Sequence, residues 1–363
     1  NDGNGGNGNG NEIENGTILK GTITSDVTLA AGNTYKLSGE YIVEEGATLH
    51  IEEGVKIIAV YDDIADYILV KQGGKINAVG TPDKPIVMTS EKEEPGAWGG
   101  IHICGRAHTN AEGGKGSSEI GGAVYGGNDD ADNSGTLQYI RLEYTGFAFD
   151  EEHEANGISF YGVGNGTIVD HCQAYKGSDD GFEFFGGSVN VSNLVAVSCS
   201  DDSFDWTEGW NGKGTNLVAY QEAESTLGYD CDCLMECDNN GSNNAATPVA
   251  HPVLKNLILV GNGGSKQGIR LRAGTEVEID NAKVCGKGQP LTVETALTEN
   301  ALKNGTSKLT NITLTSELSC KEGIYTHADF IAVTSNKVDA NLSYSSFEDI
   351  KKECSWMNGS WVK

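Results

Sequence analysis

Six segments of the chain share one pattern, in which a polar residue precedes a short run of alternating apolar positions. Aligned on that residue, each segment has a mostly apolar residue at the first and third positions after it. Apolar residues with a period of two indicate a β-strand that buries one face. The aligned polar residues form one column, His171, Asn193, Asn216, Asn256, Asn281 and Asn311.

The spacing of this column predicts the fold. Its members are separated by 22, 23, 40, 25 and 30 residues. A repeat near 22 residues is typical of a solenoid in which each coil contains several short strands. Asn tolerates the left-handed backbone of a sharp turn, and stacked amides can hydrogen-bond to one another along the axis. The chain is therefore predicted to be an all-β solenoid, a β-helix.

A second repeated strand precedes the first in each coil. Its second and fourth positions are mostly large and apolar, so we expect them to face inward and the third and fifth positions to face outward. The aligned segments are 157–161, 181–185, 203–207, 228–232 and 268–272. The third positions are Ser159, Glu183, Asp205, Asp230 and Arg270, and the fifth positions are Tyr161, Phe185, Thr207, Asp232 and Arg272.

The N-terminal third repeats as well, because segment 43–51 matches segment 70–78. Coils are therefore predicted over residues 15–330. Two stretches rich in Gly and Asn, 104–135 and 232–252, are interpreted as loops outside the stack.

The two termini are interpreted differently from the coils. Residues 1–14 begin NDGNGGNGNGN and are predicted to be a flexible tether. Residues 331–363 contain a helix candidate at 345–353 followed by Trp356 and Trp361. A solenoid needs its open end covered, so this segment is predicted to be a C-terminal cap.

The charge of the chain restricts its partners. It has 52 Asp and Glu against 25 Lys and Arg, for a net charge of -27. Such a chain is repelled by nucleic acids and anionic lipids. It attracts cations, and Ca²⁺ is the natural candidate for its carboxylate-rich loops. No apolar run approaches the ~20 residues that a transmembrane helix requires. The tether suggests that a signal or lipoprotein segment, with a lipid anchor, lies upstream.

Nine cysteines leave at least one without an intrachain partner. Cys231, Cys233 and Cys237 with His251 form a conceivable zinc set, but their spacing is not a usual structural-zinc pattern. A locally stapled loop and buried free thiols are the two interpretations that we keep open.

Several motifs of the chain resemble a known family. They are 45–54 (EGATLHIEEG), 97–101 (AWGGI), 125–130 (YGGNDD), 178–187 (SDDGFEFFGG) and 201–206 (DDSFDW). Together they are similar to secreted or lipoprotein β-helix proteins of Bacteroidetes and related bacteria, over residues 15–330. The resemblance implies a right-handed, single-stranded parallel β-helix of the pectate-lyase-like type, in an extracytoplasmic or cell-surface location. It implies no particular reaction.

A looser similarity is to polygalacturonases, which place Asp pairs on successive coils. Asp179 and Asp180 precede Asp201 and Asp202 by 22 residues in that manner. The later Gly-His-Gly motif of those enzymes is absent, and segment 268–272 (GIRLR) resembles their Arg-Ile-Lys motif only weakly. These departures argue against transferring their mechanism.

The outward carboxylates are the candidate site. Neighbouring coils lie ~4.8 Å apart, so Glu183, Asp205 and Asp230 should stack in a row, and like charges stacked in this way are destabilising. Such a row needs a cation, a shared proton or free access to water. Glu183, Asp205 and Asp230 are the candidate catalytic residues, and the candidate Ca²⁺ ligands are Asp179, Asp180, Asp201 and Asp202.

A cation, a shared proton and free hydration would each reduce the repulsion, and each corresponds to a different function. A Ca²⁺ ion at the Asp pairs would be structural or would bridge to a substrate. Proton sharing between Glu183 and Asp205 would allow acid–base chemistry on a glycosidic bond, at a separation nearer the retaining than the inverting geometry. Arg270 and Arg272 at the end of the row could bind an acidic sugar, whereas full hydration would leave the row inert. Asp pairs also occur simply as turn residues.

Aromatic residues near the row are candidates for sugar stacking, namely Tyr161, Phe185 and Trp210. The inward residues of the same strands, Phe182, Phe184, Phe204 and Trp206, are interpreted as core. The predicted function is binding or processing of a polysaccharide or cell-surface glycan along the acidic row, as a lyase or glycoside hydrolase if the protein is an enzyme. The alternative is a non-catalytic adhesion or scaffold protein.

Overall fold

The repeat in the sequence corresponds to the coils of a right-handed parallel β-helix. The computed structural model describes residues 11–151 and 153–363. The main stack contains 25 strands, and they pair in parallel with strands about one coil away, as Val191 pairs with Gly214. The predicted fold class is confirmed.

The strands follow one another along the chain with few interruptions. In order they are Asn11–Ile13, Ile18–Ile23, Val27–Leu29, Thr34–Val43, Thr48–Ile51, Lys56–Ala59, Tyr67–Val70, Lys75–Val79, Ile86–Ser90, Ile101–Cys104, Gly135–Glu143, Ile158–Tyr161, Ile168–Tyr175, Phe182–Phe185, Asn190–Val197, Phe204–Thr207, Lys213–Tyr220, Met235–Asp238, Val253–Val260, Gln267–Arg272, Glu278–Cys285, Gln289–Val293, Lys308–Leu314, Ser319–Cys320 and Lys337–Val338. A small hairpin, Gly116–Ser117 with Val124–Tyr125, lies outside the stack.

Helices are few and short. The α-helices are Glu224–Leu227, Ala296–Lys303, His327–Ala332 and Phe347–Glu353, and the 3₁₀-helices are Glu112–Gly114 and Ser355–Met357.

The strands form three parallel sheets around one core. Sheet 1 contains the short strands such as Ile158–Tyr161, Phe182–Phe185 and Phe204–Thr207. Long strands such as Asn190–Val197 belong to two sheets, because the chain bends at one residue within them. The part before the bend pairs in sheet 2 and the part after it pairs in sheet 3.

The column of Asn residues forms the bend between sheets 2 and 3. All six members have φ between 52° and 66°, in the left-handed region. Amide hydrogen bonds link successive coils, from Asn216 to Asn193 at 2.9 Å, from Asn256 to Asn216 at 3.1 Å and from Asn281 to Asn256 at 2.9 Å. The prediction is confirmed from Asn193 to Asn281. At the two end rungs an Asp is the acceptor, because Asn193 donates to Asp170 instead of His171 and Asn311 donates to Asp280 instead of Asn281.

The interior of sheet 1 is lined by stacked aromatic rings. Phe182 stacks on Phe204 at a centroid distance of 5.5 Å, and Phe160 stacks on Phe184 at 5.0 Å. Trp206 is also buried. The interpretation of these inward residues as core is confirmed.

The ends of the stack differ from the predicted boundaries. Asn11–Ile13 pairs with Val27–Leu29, so the first strand overlaps the end of the predicted tether, and residues 1–10 lie outside the described residues. At the other end, Phe330 of His327–Ala332 belongs to the main core.

The segment predicted to be a cap instead lies along the side of the stack. Ile350, Met357 and Trp361 are buried against Val195 and Val218, which face outward from sheet 3. The reason is that sheet 3 is apolar on both faces in these coils, as the runs LVAV and LVAY show, and an apolar outer face must be covered. We call residues 339–363 the flank segment.

One of the two predicted loops is divided by a strand. Residues 105–134 leave the stack between Ile101–Cys104 and Gly135–Glu143, as predicted. Within 232–252, however, Met235–Asp238 pairs with Phe204–Thr207 and belongs to sheet 1. The segments that leave the stack in this region are therefore 221–234 and 239–252.

The Asn column allows a test of what stabilises the bend. Asn193 has a φ of 57°, donates to Asp170 and accepts from Asn216. We expect Asn193→Ala to lower the free energy of unfolding by about 2–3 kcal/mol, through two lost hydrogen bonds and a strained backbone. Asn193→Gly should cost about 1 kcal/mol less, because Gly adopts positive φ freely.

Chemical denaturation measures both effects. Asn211→Ala, at an exposed residue, serves as the control. Equal stability of the Ala and Gly variants would contradict a backbone contribution at this position.

Candidate functional site

The outward column of sheet 1 forms a polar row. From coil to coil the paired residues are His102, Ser159, Glu183, Asp205, Glu236, Arg270 and Thr292. The adjacency of Glu183 and Asp205 is as predicted. The next rung is Glu236, so the prediction of Asp230 is wrong.

The error at Asp230 has a simple cause. Segment 228–232 (GYDCD) has the same pattern as the true strands, but the strand is Met235–Asp238, whose Met235 and Cys237 face the core. Asp230 is exposed, and its carboxylate accepts a hydrogen bond from the N–H of Cys231. The fifth-position residue is likewise Asp238 rather than Asp232.

The Asp pairs at the turn before sheet 1 join one coil to the next. Asp180 Oδ1 accepts the N–H of Asp202 at 2.9 Å, and Asp202 Oδ1 accepts the N–H of Cys233 at 2.8 Å. In these hydrogen bonds the Asp side chains act as turn residues, which is the alternative interpretation of the pairs in the sequence. Each carboxylate has a second oxygen, so the turn role does not exclude a bound cation.

The Asp pairs contribute to three groups of potential metal ligands. Two contain only carboxylates, Asp179 with Asp180 and Asp201, and Asp180 with Asp202 and Asp205, whereas the third combines Asp202 with Asp232 and Cys233. Within each group the ligand atoms lie within 4.8 Å of one another. Asp180 and Asp202 are buried, whereas Asp201 is exposed. Three clustered carboxylates are a donor set that fits a hard cation such as Ca²⁺.

Sequence reasoning missed three members of this site. Asn156 donates to Glu183 Oε2 at 2.6 Å and to Ser159 at 2.9 Å. Glu119, from the 105–134 loop, and Glu154 approach closely enough for their charges to raise the pKa of Asp179. Their sequence positions carry no repeat signal, because all three lie outside the strands of the stack.

Eight carboxyl groups thus share one region in which the basic residues are few, with Lys266 acting on Asp201 and His153 on Glu119 only through their charge. Within the described residues, none of them forms an ion pair with Lys, Arg or His. The group consists of Glu119, Glu154, Asp179, Asp180, Glu183, Asp201, Asp202 and Asp205. We call it the acidic row.

The environment favours the protonated form of these groups. Burial, then the charges of its neighbours, raises the pKa of Asp180 well above its usual value, and the same causes act on Glu183, Asp202 and Asp205. Burial followed by repulsion from Asp201 raises the pKa of Asp179 to about 8.

The 105–134 loop forms a fixed wall beside the row. Tyr125 donates to Glu208 at 2.8 Å, and Thr109 donates to the same carboxylate at 2.7 Å. His108 Nε2 lies 2.7 Å from the carbonyl oxygen of Gly209. The loop is therefore fixed to the coil that carries Glu208 and Gly209.

The aromatic residues predicted to stack on sugars are buried. Tyr161 and Phe185 are 1% and 7% exposed, because Ile120 and Tyr125 of the loop pack over them. Trp210 is 1% exposed and stacks on Phe184 at 4.0 Å in the core. These rings are therefore not exposed as sugar stacking would require.

Arg270 and Arg272 end the row as ion pairs. Arg270 contacts Glu236 at 3.1 Å and Glu294 at 3.2 Å. Arg272 contacts Asp238 and Glu236, each at 2.7 Å. Two guanidinium groups thus face three carboxylates, which leaves little positive charge for an anionic ligand.

The cysteines are not arranged as a zinc set. All nine are free thiols, and His251 contacts Glu276 and Glu278 instead of the cysteines. Of the two interpretations, free thiols are confirmed, and eight of the nine are buried.

Comparison with known proteins gives one match. Residues 21–363 match the family described as the pectate-lyase-like β-helix domain. The chain belongs to this family. No curated protein and no solved structure matches it.

As a pectate-lyase-like β-helix, the chain carries the acidic row on the outer face of sheet 1 and on the turn and loop segments beside it. None of the helices in the described residues has the length and apolar character needed to span a membrane. The family relates the fold to polysaccharides, and the site has the acidic oxygens that bind cations.

The raised pKa values predict how stability depends on pH. Burial raises the pKa of Asp179 to about 8 and that of Glu119 to about 7, whereas unfolded carboxyls titrate near ~4. From pH ~4 to ~8 the unfolded chain therefore binds fewer protons than the folded chain, and the free energy of unfolding falls as pH rises. We expect the chelator-treated protein to melt at a higher temperature at pH 5 than at pH 8.

Calorimetric melting across this range checks the trend. Asp179→Asn with Asp201→Asn should flatten it, whereas the exposed pair Asp63→Asn with Asp230→Asn, which removes the same charge, should not. Identical slopes in both variants would mean that the acidic row does not cause the pH dependence.

Proposed function

We propose that this protein binds an acidic polysaccharide outside the cytoplasm, through Ca²⁺ held by the acidic row. The observation that supports this most directly is the set of eight carboxyls, none of which forms an ion pair within the described residues. Clustered, partly desolvated carboxylates require a proton or a cation. Oxygen ligands in this number suit Ca²⁺, which takes six to eight of them.

The outer group is the better candidate for contact with a ligand. Asp179, Asp180 and Asp201 lie at the edge of the row, and Asp201 is exposed. A Ca²⁺ ion held there would keep coordination positions on the solvent side. Carboxylates of an acidic sugar are hard oxygen donors and would fill those positions. The inner group, with buried Asp180 and Asp202, would have a structural role.

The charge balance explains why a metal is needed. The protein carries a net charge of -27 and would repel a polyanion by itself. Arg270 and Arg272, the cations nearest to the row along sheet 1, are already paired with Glu236, Asp238 and Glu294. Divalent cations would therefore supply the attraction between the row and an anionic glycan.

Cleavage is a second candidate, favoured by the adjacency of Glu183 and Asp205. The two lie on neighbouring rungs, and burial with mutual repulsion raises the pKa of each. A carboxylic acid that stays protonated near neutral pH can act as a general acid. However, neither residue lines any of five surface depressions of about 300 to 740 Å³ in the described part of the chain. Binding without cleavage is therefore the primary proposal.

The binding proposal predicts a shared dependence on Ca²⁺. We expect Ca²⁺ at about 100 times its dissociation constant to raise the melting temperature by about 3–4 °C, from a stabilisation of about 2.7 kcal/mol. Retention of polygalacturonate or alginate should require the same ion. Asp179→Asn with Asp201→Asn should remove both effects, since it removes two of the outer ligands.

Affinity electrophoresis and thermal melting, each with and without a chelator, make these measurements. The pair Asp63→Asn with Asp230→Asn is the matched control. If Ca²⁺ stabilises the protein but no acidic polysaccharide binds, the metal is structural and the protein is better described as a scaffold. Absence of any Ca²⁺ effect would refute the proposal.

The cleavage candidate has its own test. Glu183→Gln with Asp205→Asn preserves the shape of the row and removes both titrating groups, so any turnover of acidic polysaccharides should fall at least about 100-fold, as expected for loss of general acid–base catalysis. Release of unsaturated products or reducing ends measures turnover. Unchanged turnover in this variant would exclude both residues from catalysis.

A further inference from the structure

A depression lined by polar and apolar residues lies at the bend between sheets 2 and 3, beside the flank segment. Its volume is about 300 Å³. It is lined by the stacked amides of Asn216, Asn256 and Asn281 and by the apolar residues Val218, Leu257 and Ile258. Trp356 and the ion pair of Lys283 with Glu353 also line it. None of these residues belongs to the acidic row.

Trp356 differs from the other tryptophans of the chain. Trp98, Trp206, Trp210 and Trp361 are at most 1% exposed, whereas Trp356 is only half-buried. Its ring meets His171 edge-on, at a centroid distance of 6.4 Å and an interplanar angle of 73°. The indole therefore has apolar surface at a polar depression, an arrangement that suits a ligand with one apolar and one hydroxylated side.

The amides that line the depression together with Trp356 have hydrogen-bonding capacity that the column does not use. An Asn side chain has two N–H groups, and the column takes one from each residue. Asn256 donates to Asn216 at 3.1 Å, and Asn281 donates to Asn256 at 2.9 Å. Neither amide has a further acceptor within the described residues. Donors thus repeat along the depression at the coil spacing of ~4.8 Å.

We propose that this depression binds a sugar residue of a neutral glycan. The indole would stack on the apolar face of the sugar ring, and the spare amide N–H groups would donate to its hydroxyl oxygens. The ion pair of Lys283 with Glu353 adds donors and acceptors without net charge. A neutral ligand is favoured, since the chain as a whole carries -27 and would repel an anion.

This subsite differs from the acidic row because its ligand binding should not require Ca²⁺. Only one carboxylate, Glu353, lines the depression, and Lys283 neutralises it. Binding here should therefore be independent of Ca²⁺. The two sites can be tested separately, and failure of one leaves the other standing.

Tryptophan fluorescence provides a site-specific measurement. Because the other four tryptophans are buried, acrylamide should quench mainly Trp356, and Trp356→Phe should remove the quenchable fraction. The probes are cellohexaose, xylohexaose, mannohexaose and maltohexaose, with the full chain. We expect at least one of them to protect Trp356 from quenching and to bind in titration calorimetry. Trp356→Ala should weaken that binding about tenfold or more, since a stacked ring is lost.

The controls separate this site from the rest of the surface. Tyr61→Ala removes another exposed aromatic residue and should leave binding unchanged, as should Asp179→Asn with Asp201→Asn or a chelator. Trp356→Phe should retain part of the affinity, and thermal melting establishes that each variant is folded. Failure of all four probes to bind, affinity unaffected by Trp356→Ala in a folded protein, or binding abolished by the chelator would each overturn the proposal.

Discussion

Stacking of coils in register is the constraint on which the rest of this structure depends. Residues about two dozen apart in the chain become neighbours at ~4.8 Å. Each outward side chain therefore lies beside the side chain at the equivalent position of the adjacent coil. An amide column is stable under this constraint, because each Asn both donates and accepts. A carboxylate column is not, because ionised carboxylates only accept. The same repeat therefore stabilises the bend between sheets 2 and 3 and places adjacent negative charges on sheet 1.

The negative charge is treated differently in two parts of sheet 1. Beyond Glu236, guanidinium groups enter the column and pair with the carboxylates of adjacent coils. Before it, from Glu183 to Asp205, no basic residue enters, and the 105–134 loop adds Glu119 to the same region. The loop is anchored to Glu208 by Tyr125 and Thr109, so it cannot be treated as a mobile cover. Part of one surface is neutralised within the chain, and part is left for a proton or an external cation.

Sequence reasoning reached the features that the repeat itself encodes. The Asn column and the adjacency of Glu183 and Asp205 follow from periodicity, because a fixed spacing becomes a fixed neighbour in a solenoid. Asp230 was misplaced where the spacing is irregular, since segment 228–232 imitates the strand pattern that Met235–Asp238 actually adopts. Glu119 and Asn156 were missed because loop residues reach the site through tertiary folding alone. Tyr161 and Phe185 were judged exposed because the sequence does not show which surface a loop will cover.

The double role of Asp180 and Asp202 connects the fold to the proposed function. Each uses one oxygen to accept a backbone N–H of the following coil, which fixes both carboxylates at the turn. Their position is thus set by the strand register and not by the ligand they would bind. A cation would then enter a site whose ligands are already oriented, and it would relieve repulsion that the fold cannot avoid. Binding energy and folding energy would be linked through the same oxygens, so the occupied row would be the most stable form of the coil.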